Sequence, residues 1–322
     1  MQPEFNRSQG HQRISSPARL LGTLAAACLL LLGACNRQPE STVPAGMTPR
    51  AYVPAFTSGS GQTASNSAQS SARRVLFIQG DFVPDSGYPH SRVHDDGAHP
   101  ESFTRLRSEV LEGELKLNVD EFVLAGNVSF DRATLAQYGT VVLGSNARVL
   151  TQEEVATLTA YYAQGGSVLV YADSQYGNAA WDSDNDFLKQ FGIQVLADNM
   201  QPAVEITGMT ATHPIFSAVQ DIRGEGLSQF IVGADALQKT QVLAQCAPLT
   251  RSGCSLPQAQ QQRVRQGDVV ACVFTRENEA GGRLAGICDR NWFQNGPGPG
   301  SDLDQADNRR FATNLFRWLS KS

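Results

Sequence analysis

The chain lacks a basic stripe. Lysine and arginine together number 26 against 31 aspartates and glutamates, and the formal charge is −5. Binding to nucleic acid rests on neutralising phosphates along a basic face, so this balance sets nucleic acid aside as a partner. Long apolar runs are missing after Leu32, which sets aside a membrane span in the rest of the chain. Histidine is scarce as well, with five residues in 322 and none beyond His213. Chemistry that needs imidazole must therefore draw on residues no later than His213.

What stands before Leu32 is informative. Arg7, Arg13 and Arg19 precede an apolar run from Leu20, which closes as Leu31-Leu32-Gly33-Ala34-Cys35. A basic region, a short apolar core and small residues form the layout of a secretory signal. The cysteine directly after Leu-x-Ala makes it resemble a bacterial lipoprotein signal, in which the thiol is lipidated and begins the mature chain. Residues 1–34 are thus expected to leave as signal, with Cys35 joining the protein to a membrane. Asn36, where sorting signals of the enteric kind carry Asp, points to the outer membrane of the bacterial cell envelope.

Export sorts the cysteines. Cys28 leaves with the signal, and Cys246, Cys254, Cys272 and Cys288 remain in a compartment that permits disulfides. Cys246 and Cys254 flank a short Pro/Ser/Gly loop, and a staple between them is the favoured pairing. Cys272 and Cys288 sit inside apolar runs, as buried thiols or a second bridge.

Residues 35–73 are rich in Ser, Thr, Ala, Gly, Pro and Gln. Such a stretch buries too little apolar area to offset its ordering entropy and reads as a tether. Order begins at Arg74 and extends through 74–322. Val75–Gly80, Phe122–Ala125, Thr140–Gly144, Val168–Ala172 and Ile193–Ala197 read as strands. They alternate with helical segments at Glu101–Leu115, Ala133–Tyr138, a helix capped by Thr151 and Glu154, and Asp184–Phe191. This alternation predicts an α/β fold, a mainly parallel, doubly wound sheet flanked by helices. Residues 200–280 hold short strand patterns and form a β-rich insertion. Arg283–Cys288 returns to a buried strand, and Gln305–Lys321 reads as an amphipathic helix with Asp304 or Asp307 as its cap.

Several segments resemble the class I glutamine amidotransferase-like fold, most closely its trehalose-utilisation-like and gliding-motility-auxiliary branches. They are Tyr138–Gly144, Gly165–Val170, His213-Pro214-Ile215, Asp289–Asn295, and Asp307–Phe311 leading into the Asn314–Leu319 helix. The resemblance implies the fold but not the chemistry. Amidotransferases place a cysteine on the strand-to-helix turn that here reads Ala172-Asp173-Ser174-Gln175-Tyr176-Gly177, and they use a later histidine as base. This turn has no cysteine and no histidine occurs after His213, which argues against glutaminase activity. Ser174 also lacks the flanking glycines of a serine elbow.

The most unusual polar stretch runs from Tyr88 to Pro100 and follows the first strand, where open α/β folds bind ligands. His90, His94, His99, Asp95 and Asp96 lie within it and suit a divalent metal by type. Asp81, His90, Asp173, Ser174, Asp289 and Asn291 are expected to line a cleft at the same sheet edge. The reading that follows is a membrane-anchored envelope lipoprotein. Its non-catalytic amidotransferase-like domain serves as an accessory module for a glycan or an envelope protein. The alternative is a hydrolase, metal-assisted or not, acting on a glycan or peptide through the His90–His99 loop and Asp289.

Overall fold

The structure is a computed structural model. It describes residues 71–80, 92–94, 100–124, 128–144, 148–172, 184–196, 204–224, 227–246, 263–296 and 302–322. The expected signal over 1–34, Cys35 and nearly all of the tether lie outside these residues, as does Cys254. Among the described cysteines no pair stands at disulfide distance, and Cys272 and Cys288 are both buried.

In chain order the strands and principal helices begin with β1 (Arg74–Gly80), α1 (Leu106–Glu114), β2 (Asn118–Leu124), α2 (Arg132–Leu135) and β3 (Thr140–Leu143). Next come α3 (Gln152–Ala163), β4 (Ser167–Tyr171), β5 (Ile193–Val195), β6 (Val204–Thr207), β7 (Arg223–Gly224) and β8 (Phe230–Val232). The chain closes with β9 (Gln241–Cys246), β10 (Val269–Ala271), β11 (Val273–Glu277), β12 (Arg283–Ile287) and α4 (Asn308–Ser320).

Nine strands form one sheet in the order β2-β1-β3-β4-β12-β11-β9-β6-β7. The first five run parallel. The remaining four continue it antiparallel, so the β-rich insertion extends the sheet. Val75–Ile78, Val141–Leu143 and Val168–Tyr171 are buried, as strands covered on both faces must be. The chain leaves β1 for β2 in one direction and β3 for β4 in the other. Right-handed crossovers therefore place α1 and α3 on opposite faces, and the sheet is doubly wound. α4 shares the face of α1: Thr313 Oγ1 donates to Glu114 Oε2 at 3.1 Å, and Arg309 pairs with Glu109 at 2.5 Å. Its Phe311, Leu315, Phe316 and Leu319 are fully buried, each such side chain contributing about 1.5–3 kcal/mol.

Two expectations are corrected. β5 does not join the parallel sheet; it pairs antiparallel with β8, which also pairs with β10. Gln194 at its centre is exposed while Ile193 and Val195 are buried. That alternation belongs to a strand with one wet face. The fifth parallel strand is β12. Asp307 occupies the cap position of α4 without capping it. Its Oδ2 instead accepts the backbone N–H groups of Gln220 and Asp221, at 2.8 and 3.3 Å, fastening the insertion to the helix start.

Candidate functional site

The strand order reverses its direction of growth between β1 and β3, the place where open α/β sheets leave a crevice beyond their carboxyl ends. Ile78 pairs with Leu143, and Leu143 with Val170. One residue further along, Gln79, Gly144 and Tyr171 stand in one row with their Cα substituents on one face. Gly144 contributes no side chain to that row. A Cβ there would lie 2.7 Å from the Tyr171 ring, so only glycine lets that ring cover the end of β3. Tyr171 in turn meets Phe103 edge-on, with ring centroids 5.8 Å apart, and Phe103 meets Phe293 at the same separation. The row therefore has an aromatic wall.

Gln79 is fully buried, and neither its amide nitrogen nor its amide oxygen has a hydrogen-bond partner among the described residues. An unsatisfied buried polar group costs about 1–3 kcal/mol, so an amide at the switch point is an expensive residue to keep for packing alone.

β12 ends beside β4, with Ile287 paired to Tyr171, and two residues later comes Asp289, fully buried. Its Oδ1 accepts the backbone N–H of Asn291 at 2.7 Å, which opens the short helical turn Asn291–Phe293. The other oxygen faces Gly224: a Cβ on that glycine would lie 2.8 Å from Asp289 Oδ2 and 2.8 Å from Trp292 Nε1. Trp292 is fully buried, and its indole N–H has no partner among the described residues. Asn291 is half-buried and accepts from Gln294 at 2.8 Å. Asn295 clamps the far loop: its Nδ2 donates to Ser102 Oγ and Thr104 Oγ1, and its Oδ1 accepts the Arg105 N–H.

A third polar group follows the segment that leaves β4. Asp184, the first described residue after it, is fully buried, and neither carboxyl oxygen has a partner among the described residues. Burial pushes its pKa well above the usual carboxylate range. Sequence reading passed over both groups. The signal for Gln79 was present, an amide at the end of an otherwise apolar buried run. For Asp184 there was none beyond its place before a short helix.

The other expected site residues fall into two sets. Asp81, His90, Asp95, Asp96, His99, Asp173 and Ser174 lie outside the described residues. His94 is described and stands away from the carboxyl edge. Its Nε2 is 2.9 Å from the carbonyl oxygen of Val119, near the amino end of β2. A carbonyl only accepts, so Nε2 bears the proton and Nδ1 accepts from Arg107 Nη1. Both ring nitrogens are thereby engaged. Glu121 fastens the same segment, pairing with Arg92 at 2.7 Å and accepting the Val93 N–H at 3.1 Å. The segment 92–94 thus lies along the outer edge of β2, and His94 acts there as a latch. Among the described residues no group of three or more His, Cys, Asp or Glu side chains could hold a metal ion. His213, half-buried, accepts the Ile215 N–H on its own turn, and its ring meets Trp318.

No family profile and no curated protein matches the chain. Solved structures do. The N-terminal domain of mmIFT52 superposes with a TM-score of 0.51 at 16% identity, covering 77% of this chain and 98% of that one. A ThuA-like protein from Bacteroides uniformis gives 0.45 at 13% identity, over 80% of this chain and 95% of that one. A GMP synthase component from Thermoplasma acidophilum gives 0.42 at 11% identity, over 77% and 95%. At such identities the likeness concerns the fold alone.

Proposed function

We propose that this chain is an envelope lipoprotein, held to the outer membrane by lipid on Cys35, whose α/β domain binds a polar ligand at the carboxyl edge of the parallel sheet. The observation that carries the reading is Gln79: a fully buried amide at the topological switch point with both polar atoms unsatisfied among the described residues. Beside it the edge offers an indole donor at Trp292, a carboxylate at Asp289 and the aromatic wall of Tyr171 and Phe103. An amide that both donates and accepts, near an aromatic face, suits a hydroxyl-rich ligand, and a glycan of the envelope is the class assigned.

Binding is favoured over hydrolysis by the place of His94. Val119 and Leu124 are five residues apart on β2, about 17 Å along an extended strand, so His94 and Asp289 do not face one substrate bond. The turn after β4 also lacks the cysteine that amide transfer would need.

The test titrates soluble cell-wall oligosaccharides against the detergent-extracted full chain, with product analysis alongside. Saturable binding without cleavage, lost in Gln79→Leu, is expected. Cleavage by the wild type would move the assignment to a hydrolase, and binding unaffected in Gln79→Leu would remove the switch-point site. Membrane fractionation of Cys35→Ser, which should become soluble, tests the anchor separately.

A further inference from the structure

At the opposite end of the parallel strands, where β11 turns back into β12, lies a groove of about 800 Å³. Its walls come from three separate elements: Thr159 and Tyr162 of α3, the turn before β9 with Gln238 and Lys239, and Arg276 of β11. The floor is rigid. Asn278 donates to the Tyr162 carbonyl at 2.6 Å and accepts the Gly282 N–H at 2.8 Å, which pins the β11–β12 turn to α3.

Three donors line the groove: the Arg276 guanidinium, the Lys239 ammonium and the Tyr162 hydroxyl. Arg276 lies with its guanidinium 5.5 Å from the centre of the Phe191 ring and donates to Thr240 Oγ1 at 3.4 Å. Among the described residues it has no ion pair, and neither has Lys239. Tyr162 is 4% exposed, its ring edge-on to Phe191 with centroids 5.2 Å apart, and its hydroxyl has no hydrogen-bond partner among the described residues. Burial raises the Tyr162 pKa against the opposing pull of Arg276, so this hydroxyl keeps its proton. Two acidic side chains also line the groove. Glu277 is already paired with Arg283 at 3.0 Å, and Glu279 is exposed at the rim. A guanidinium and an ammonium, neither of them ion-paired among the described residues, therefore line one groove with a buried hydroxyl.

We propose that this groove is a phosphate-binding site, with the oxyanion seated between Arg276, Lys239 and the Tyr162 hydroxyl. Donors arriving from three elements suit the tetrahedrally disposed oxygens of a phosphate better than the two coplanar oxygens of a carboxylate. The phosphate comes either from a free phosphorylated small molecule or from the headgroup of a phospholipid, both within reach of a lipid-tethered domain. This site is independent of the carboxyl-edge cleft and stands or falls without it.

The experiment is calorimetric titration of the detergent-extracted full chain, in chloride of constant ionic strength, with inorganic phosphate and with glycerophosphoglycerol, the soluble headgroup of phosphatidylglycerol. Saturable binding is expected, weakened about ten-fold or more in Arg276→Gln, where a charge-assisted contact is lost. Tyr162→Phe should weaken it about three-fold or more without lowering the melting temperature, since the hydroxyl has no hydrogen-bond partner among the described residues. Tighter binding of glycerophosphoglycerol than of phosphate assigns a lipid headgroup, and equal binding a free phosphate. Absence of saturable heat with both probes, or undiminished affinity in Arg276→Gln, would overturn the site.

Discussion

Arg148 grips Glu154 with two parallel hydrogen bonds, Nη2 to Oε1 at 2.7 Å and Nη1 to Oε2 at 2.9 Å, and the Glu154 side chain is fully buried. The pair gathers the rim of the candidate cleft. Ser129 Oγ, from the stretch after β2, donates to Glu154 Oε1 at 2.7 Å, and Arg148, from the stretch after β3, also donates to the Val128 carbonyl at 2.7 Å. Thr151 N–H donates to Glu154 Oε2 at 2.8 Å, completing the capping box of α3. One carboxylate therefore joins two rim segments to a helix start.

Acid should loosen this rim. Burial pushes the Glu154 carboxyl up, but the bonds from Arg148, Thr151 and Ser129 outweigh it and hold its pKa down to about 2. A lowered carboxyl pKa contributes stability that is present above the unfolded value and lost as pH falls towards about 2. The shift amounts to about 3 kcal/mol. Thermal melts between pH 7 and pH 2 should show the loss in the wild type. Glu154→Gln should be destabilised by about 3–5 kcal/mol at pH 7, because it strands Arg148, and its melting should be flatter across the acid range. Equal acid sensitivity in the variant would place the transition elsewhere.

Gln79→Leu should separate stability from binding. The substitution keeps the volume and removes two unsatisfied polar atoms from a buried position. A gain of about 1–3 kcal/mol in unfolding free energy is expected, together with loss of oligosaccharide binding. Denaturant unfolding and calorimetry on the same preparations read both effects. A destabilised variant would mean that the amide is satisfied in the native protein.

How far the sequence spoke for itself varied with the range of the interaction. The capping box at Thr151 and Glu154, the buried runs of β1, β3, β4 and β12, and the apolar stripe of α4 are local patterns, and each was legible. The pairing of β5 was not, because three residues do not specify a partner. His94 looked like a ligand because its neighbours in sequence are His and Asp. Its actual partners, Val119 and Arg107, come from β2 and α1, and no spacing within the loop foretells them. Asp307 was assigned to its nearest helix for the same reason, while its carboxylate serves a segment more than eighty residues away.

Asp184→Asn should flatten the response to alkali. The native carboxyl, its pKa raised by burial, stays protonated where the unfolded chain would ionise. That difference costs stability as pH rises through the unfolded value and continues until the folded group itself ionises. Wild-type stability should therefore decline from pH 4 upwards relative to the variant. At pH 7 Asp184→Asn should be the more stable by about 1–3 kcal/mol. Parallel pH-dependent melts decide it, and matching slopes would show that Asp184 is ionised and satisfied.

Gly224→Ala tests whether the Asp289 end of the proposed cleft needs its close approach to the insertion. The new methyl would meet Asp289 Oδ2, Trp292 Nε1 and Leu227 Cδ2 within 2.8–2.9 Å, closer than real Cβ contacts stand. All three neighbours are buried, so none can swing into solvent. Overpacking of this kind costs about 1–3 kcal/mol. Relief must come from moving β7 away from the turn at Asn291–Phe293, which displaces the carboxylate and the indole together. The expected result is a lowered melting temperature with oligosaccharide affinity reduced about ten-fold, a drop larger than that of a volume-matched overpacking control, Gly286→Ala, whose methyl would meet the Phe274 ring on the neighbouring β11. Equal affinity losses in the two variants would mean that the effect is general loosening of the sheet, and that Asp289 and Trp292 do not touch the ligand.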